Sequence, residues 1–457
     1  MALSRRDAVD AAENIMAGPR LAERRRLDRI ARAVNPSSFA TSTGDFPLSV
    51  EIPAGAPLVM ANLAQKSRTN YLPLILDVLS QTLIVEGYRA PRTSDNAPAW
   101  AGWQANGMDA RQSGLHRNAL QYGIAYGTVL PGDSGPVVRG VSPRKMTALY
   151  QDAVEDEWPM LALREYDDAV RLYDEEGVYF LGKSSPIVTS ARLEYIDFRP
   201  HNLGVCPVVR YRDQMLLDEG DQVGVVEPLI EIQRRHDETT FGMMIAQYFS
   251  AFRQRYVIGW VPTSEQEQLK ASAAEFWAFD DPDVKVGEFE GTDPQRYINS
   301  KDAAIRDMGA ISQVPPQQLA IGNGLSNLSA ESLASLEAGK DRKVRSVETS
   351  LGESHEQTLR LYEYAAGERD TLDNDQASIR WADATARSLA QTADALGKMV
   401  TMLGVPQEAA WEELPEMNDD KLARWKQLRL EDSGADPIAS LASTLNQQAQ
   451  GLPTTTA

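Results

Sequence analysis

Gly177, Gly182, Lys183 and Ser184 stand at the spacing GxxxxGK[ST], in which a glycine-rich loop cradles phosphates and the lysine meets their charge. That chemistry needs a buried strand before the first glycine and a helix whose N-terminus faces the phosphates. Here Asp174-Glu175-Glu176 precedes Gly177, the loop positions are the strand formers Val178, Tyr179, Phe180 and Leu181, and Ser185-Pro186 follows. These residue types predict a hairpin strand after the turn DEEG. Gly132-Asp133-Ser134-Gly135-Pro136 copies the nucleophile segment of one class of serine proteases, whose serine needs a general-base histidine and an orienting aspartate. His116 is the one histidine before it, too close in the chain and without the usual flanks, so the stretch reads as a loop between strands. The four histidines, His116, His201, His236 and His355, are dispersed, with neither HExxH nor zinc-ligand spacing. His236 and His355 fall on apolar helix faces and read as core or interface residues. Asp167-Asp168 and Asp280-Asp281 sit in charge-rich loops, where adjacent carboxylates are solvated. The expectation is a protein that is not an enzyme and holds no metal or cofactor.

The elements that carry these residues can be placed from composition and period. The chain has 457 residues with 46 Lys+Arg against 65 Asp+Glu, a net charge of −19. Hydrophobic residues at 42% and charged residues at 24% exclude a fully disordered or collagen-like chain. An overall field of this sign excludes DNA binding by bulk charge, because phosphate neutralisation needs Lys and Arg. A single cysteine, Cys206, excludes an internal disulfide and any multi-cysteine metal site, and fits an intracellular, reducing environment. No targeting segment and no apolar run of membrane-spanning length is expected. Residues 1–35 hold eight Arg against five acidic residues, with Leu21, Leu27, Ile30 and Val34 at helical spacing. They read as an amphipathic surface helix or as a docking site for an acidic neighbour.

After a Pro/Gly/Ser-rich stretch, residues 58–85 predict one helix. Residues 100–120 predict another, broken at Gly102, Gly107 and Gly114. From Tyr122 to Tyr211 short runs such as GIAYGTVL, AVRLY and RLEYIDF predict an antiparallel α+β region. Val225 to Phe252 holds a 3–4 spacing, and residues 257–297 interrupt it with nine acidic residues against three basic. A shorter helix near 299–311 stops at Val314-Pro315-Pro316, and the loop AIGNGLSNLS leads to a helix of some 30 residues capped at Ser329. Helices near 384–403, 406–414 and 418–430 precede a polar tail, and Ser378–Asp383 reads as a strand.

Four stretches together carry a resemblance: His201-Asn-Leu-Gly204-Val-Cys-Pro207-Val-Val-Arg-Tyr211, SAFRQRYVIGW (250–260), Ala310-Ile-Ser-Gln-Val-Pro-Pro316 and Asn327-Leu-Ser-Ala-Glu-Ser-Leu333. In this order and spacing, from about residue 55 to 430, the chain resembles the portal protein family of tailed bacteriophages, siphophage type, as in phages of actinobacteria.

The resemblance implies an α+β portal fold with an α/β wing, long stem helices, a small α/β clip, a tunnel loop and a helical crown. It implies a wing over 1–224, a stem helix over 225–252, the clip over 253–297 and a second stem helix over 298–316. The tunnel loop would span 317–329, the long wing helix 330–365, the crown 366–430 and a polar tail 431–457. It further implies a homo-oligomeric ring, typically of 12 subunits, at one capsid vertex of the virion, assembled in the bacterial cytoplasm. Double-stranded DNA would pass transiently through it. Its partners would be the terminase large subunit, the head–tail connector, the major capsid protein and scaffold; no membrane is involved. Gly322, Asn323, Gly324, Leu325, Ser326 and Asn327 would then face DNA. Trp260, Phe276, Trp277 and Phe279 beside Asp280, Asp281 and Asp283 would form the docking surface of the clip, aromatic anchors with an acidic rim. A minor capsid or scaffold-type protein without a channel, and a nucleotide-binding enzyme using 177–184, are the alternatives.

Overall fold

A computed structural model describes residues 2–36, 50, 52, 55, 57–89, 98–184, 192–217, 222–251, 255–258, 285–288, 293–319, 330–368, 371–372, 377–382, 389–414, 417 and 419–435. The chain opens with α1 (Arg5–Ala17), α2 (Pro19–Val34), α3 (Leu58–Lys66), α4 (Leu72–Ser80), β1 (Val85–Arg89), α5 (Pro98–Ala105) and α6 (Met108–Tyr122). Strands follow: β2 (Ile124–Leu130), β3 (Val137–Val141), β4 (Met146–Leu149), β5 (Leu161–Glu165), β6 (Ala169–Tyr173), β7 (Gly177–Lys183), β8 (Leu193–Pro200) and β9 (Val208–Arg212). Next come α7 (Ile230–Ala251), β10 (Arg255–Ile258), β11 (Lys285–Glu288), α8 (Pro294–Ser312), α9 (Pro316–Leu319) and α10 (Ala330–Ala366). Strand β12 (Ser378–Trp381) and helices α11 (Leu389–Leu403), α12 (Gln407–Glu412) and α13 (Asp419–Ala435) complete this α+β chain.

Two compact units divide these elements: residues 1–31, 75–227 and 326–457 in one, residues 32–74 and 228–325 in the other. In the first unit, β4-β5-β6-β7-β8 is an antiparallel sheet in sequence order. Alternation along the strands gives it two apolar faces. Leu163, Val170, Leu172, Tyr179 and Leu181 lie under Ala8, Ala12 and Ile15 of α1. Ala162, Tyr173 and Val178 face Tyr126, Val141 and Val208 of a second sheet, ordered β3-β2-β9. A third core joins Trp100 and Trp103 of α5 to Val129, Val138, Leu359 and Leu361.

Several boundaries differ from expectation, each for a local reason. The basic opening is two helices, separated at Gly18-Pro19. The predicted helix over 58–85 is two helices and a strand. Ser67 closes α3 by donating to the Ala64 carbonyl. Asn70 then turns the chain, donating to the Ala33 and Val34 carbonyls and accepting from the Leu72 amide. Of the three glycines expected to break 100–120, Gly107 alone does, at φ 61°. Gly102 stays helical because a Cβ there would lie 2.1 Å from the ring of Tyr362, so its role is close approach of α5 to α10. The helix expected from 225 begins at Ile230, after a 3₁₀ turn at Glu227–Leu229. Helix α8 starts five residues early because Asp293 caps it, accepting from the Gln295 amide, with Pro294 in the first turn. Ser378–Trp381 is a strand and pairs with β1.

Residues 177–183 form a strand paired on both sides, as the residue types predict, so no loop and no helix N-terminus is present there to hold a phosphate. Residues 132–136 form the loop between β2 and β3. All four histidines are buried. Among the described residues no helix is long and apolar enough to cross a membrane, and no group of three or more His, Cys, Asp or Glu side chains is placed to hold a metal.

Candidate functional site

The second unit is built on the pair α7 and α8. Arg235 of α7 forms an ion pair with Asp307 of α8, and the ring of Tyr297 lies 3.3 Å from where a Cβ on Gly242 would sit. At its N-terminal end α7 is locked by a buried polar cluster. The Asp237 carboxylate accepts from the Gln233 side chain (2.9 Å) and from the Thr69 amide (3.3 Å). Gln233 in turn donates to the Thr69 carbonyl and accepts from the Tyr71 amide. His236 packs edge-on against Tyr71 at 5.3 Å. The C-terminal half of α7 is different. Phe241, Met243, Met244 and Ile245 are all apolar, yet none is fully buried within the chain.

In the first unit the dominant element is α10, 37 residues and about 55 Å long. Its middle lies along β9. Ser350 and Ser354, one turn apart, donate to the carbonyls of Arg212 (2.8 Å) and Arg210 (3.0 Å), which satisfies the free edge of that strand. One residue on, His355 enters a buried chain of hydrogen bonds. His116 Nδ1 is 2.9 Å from the Leu83 carbonyl, and its Nε2 is 2.7 Å from His355 Nε2. His355 Nδ1 is 3.2 Å from the Tyr211 hydroxyl, which is 2.6 Å from Thr358 Oγ1.

The carbonyl can only accept, which fixes the His116 Nδ1 proton, and with both rings neutral the next bond follows. His116 donates from Nδ1, so its Nε2 accepts from His355 Nε2–H. His355 Nδ1 is then an acceptor facing the Tyr211 hydroxyl, and Thr358 donates its own proton to the Ser354 carbonyl at 2.9 Å. Burial keeps both imidazoles neutral. Burial pushes His116 down to about 4 and His355 well below its ordinary value, the latter assisted by His116. Trp103 lies edge-on to His355 at 5.2 Å, and Trp381 stands 5.5 Å from His116. Gly127 makes room for Tyr211, whose ring lies 2.9 Å from where a Cβ would be. Nearby on the chain, Asp213 is buried with one carboxylate oxygen unpartnered; burial, opposed by Lys343, raises it to about 8.

Ahead of α7, burial of the Glu227 carboxylate is outweighed by Arg26 and Arg29, which bond to it and hold it below the usual carboxylate range. No part of this arrangement presents a nucleophile with an accessible base. His116, the histidine that could have served Ser134, is 0% exposed and committed to the buried chain.

The residues singled out from the sequence, Gly322–Asn327 and Trp260, Phe276, Trp277, Phe279, Asp280, Asp281 and Asp283, lie outside the described residues. What is described is the structure flanking them: β10 paired antiparallel with β11, α8 and α9 before the loop, and α10 after it. Sequence reading missed the His116–His355–Tyr211–Thr358 chain because its histidines are 239 residues apart. The one available signal was the spacing Ser350, Ser354, Thr358, a hydroxyl stripe along one face of the helix.

Long helices, a two-sheet α+β unit and an antiparallel strand pair between the helices of the second unit define the class of fold. The profile of the family described as phage portal protein, SPP1 Gp6-like, matches residues 60–435, and the chain belongs to that family. It is 24% identical over 366 residues to the portal protein of Mycobacterium phage D29, covering 75% of this chain and 74% of that one. It is 23% identical over 397 residues to the portal protein of Mycobacterium phage L5, covering 80% and 78%. A solved chain from the neck of an empty gene transfer agent particle aligns over 84% of this chain and 100% of its own, at 14% identity and a TM-score of 0.48.

Proposed function

We propose that this chain assembles into a closed ring of twelve copies at one vertex of a bacteriophage capsid and that double-stranded DNA enters and leaves through it. The family match over residues 60–435 carries this reading. The incompletely buried apolar half of α7 supports it, since cyclic symmetry covers the same face in every copy. The net charge of −19 suits a conduit that must not grip its cargo, because every phosphate contact adds salt-dependent affinity. In this reading α7 and α8 are the stem, residues 253–297 dock the terminase motor and then the head–tail connector, and 366–430 contribute the crown. The ring meets the major capsid protein and scaffold during assembly in the host cytoplasm and remains in the virion.

Gly322, Asn323, Gly324, Leu325, Ser326 and Asn327 supply the channel contact. The glycines permit backbone conformations other residues resist, and the asparagines offer hydrogen bonds to phosphate without positive charge. Replacing both glycines by proline (Gly322→Pro with Gly324→Pro) is expected to leave rings and empty procapsids normal and to lower the DNA retained per head. Full-length packaging by that variant would make the loop a passive connector.

A further inference from the structure

Across the first unit's larger sheet, the register sets Arg164 of β5 opposite Arg171 of β6, Arg171 opposite Phe180 of β7, and Phe180 opposite Asp197 of β8. Like charges directly opposite one another weaken a sheet, so this row needs a reason beyond folding. The guanidiniums are interleaved with rings. Arg164 lies 5.0 Å from the Tyr166 centroid, Arg171 lies 4.6 Å from Tyr166 and 5.1 Å from Phe180, and Arg199 lies 4.8 Å from Phe180. Arg171 also reaches the Tyr173 hydroxyl, and a guanidinium carries five N–H groups, enough to hold a ring or hydroxyl and still grip a carboxylate. Arg199 pairs with Asp197 at 3.2 Å, while no ion pair joins Arg164 or Arg171 to a carboxylate among the described residues. A shallow depression of about 260 Å³ runs beside the row, bordered by Tyr166, Arg171, Phe180, Ile196, Asp197 and Arg199. Ile196 is 64% exposed at its edge and Arg199 is 72% exposed.

We infer that this arginine–aromatic row docks an acidic segment of a second copy of this chain, so that it forms one side of a contact between neighbouring subunits. The inference rests on the ring reading above. Charge complementarity selects the occupant: a chain of −19 presents an excess of carboxylates to its neighbour, and this row is a local exception to that sign. In a ring the neighbour is also present at the high effective concentration that lets individually modest contacts form. A nucleic acid fits less well. The carboxylates of Asp168 and Asp197 border the same depression and would face phosphates, and the exposed Ile196 side chain calls for apolar cover that a peptide segment supplies.

The test places the photo-crosslinking residue p-benzoylphenylalanine at Ile196 in the purified full-length protein, with the assembly state weighed before irradiation. A covalent dimer is expected, its crosslinked peptide rich in Asp and Glu. Arg171→Gln with Arg199→Gln, shown by an unchanged melting temperature to be folded, should lower the dimer yield at least fivefold. Rings that give no dimer would overturn the inference and leave the ring reading standing. Crosslinks formed only to another protein or to DNA in assembled particles would overturn it equally. A protein that weighs as a monomer would overturn both.

Discussion

Two long helices of this chain are buried to very different degrees, and the contrast separates what one chain finishes from what it leaves for assembly. Along the middle of α10, Ser350, Ser354, His355 and Thr358 are each buried and each hydrogen-bonded to a strand or helix of the same unit. Along the second half of α7, Phe241, Met243, Met244 and Ile245 carry comparable apolar surface without full burial anywhere in the chain. The first half of that same helix is locked by Gln233, His236 and Asp237, so the difference lies within one element as well as between two. A helix that is apolar around much of its circumference belongs in a core, and the ring proposed above would complete for α7 what one chain leaves partly open. Buried hydrogen-bonded chains are costly to break and fix a unique register. They belong where a subunit must be finished before it meets its neighbours.

The largest effect should follow from breaking the buried chain. His355→Ala removes a fully buried ring, leaves His116 Nε2 without a partner and leaves the Tyr211 hydroxyl with Thr358 alone, so a loss of about 3–5 kcal/mol is expected in denaturant unfolding. Equal stability of variant and parent would mean that α10 is held by other contacts.

The pH dependence sharpens the same point. His116 titrates at about 4 when folded, below its ordinary 6.5, so its contribution is fully present above pH 6.5 and is lost as pH falls toward 4. This is on the order of 3 kcal/mol. Asp213, raised to about 8, acts with the opposite sign: its contribution is present at low pH and is lost as pH rises from about 4 through 8. In the parent profile His355 and His201, both lowered by burial, add to the His116 side, while Glu23, Glu356 and Glu363, raised by burial, add to the Asp213 side. Asp213→Asn should therefore expose a clearer loss of melting temperature between pH 6.5 and 4, and adding His116→Phe to that variant should reduce it, His355 and His201 supplying the remainder.

A smaller effect is expected at the strand edge. Ser350→Ala and Ser354→Ala each remove one bond to a β9 carbonyl and should cost about 1 kcal/mol apiece by thermal unfolding. Their double variant should keep the pH profile of the parent, because neither serine belongs to the imidazole chain.

Much of this contrast was legible from residue types alone. The strand at 177–183 follows from Val178-Tyr179-Phe180-Leu181 behind a DEEG turn, and the long helix after residue 329 follows from its 3–4 spacing. What was not legible depended on distant contacts. The break between α3 and α4 is made by Asn70 reaching back to Ala33 and Val34, so the apolar run 58–85 gives no sign of it. Gly102 looks like a helix breaker until Tyr362 is seen to occupy the space of its missing Cβ. His116 and His355 each look like an ordinary core residue, and their pairing exists only once α6, α10 and β9 are packed together.

The most direct measurement is the mass of the purified protein in solution at micromolar concentration, for the parent and for Met244→Asp. Met244 is only partly buried in the chain, so the substitution should change the melting temperature little while placing a charge on the face that the proposed ring covers. A parent species about twelve times the 50.4 kDa chain mass, reduced to the single-chain mass by Met244→Asp, is the expected result. A parent that stays at 50.4 kDa, or a Met244→Asp ring as stable as the parent ring, would contradict the assignment of α7 as the surface on which the copies assemble.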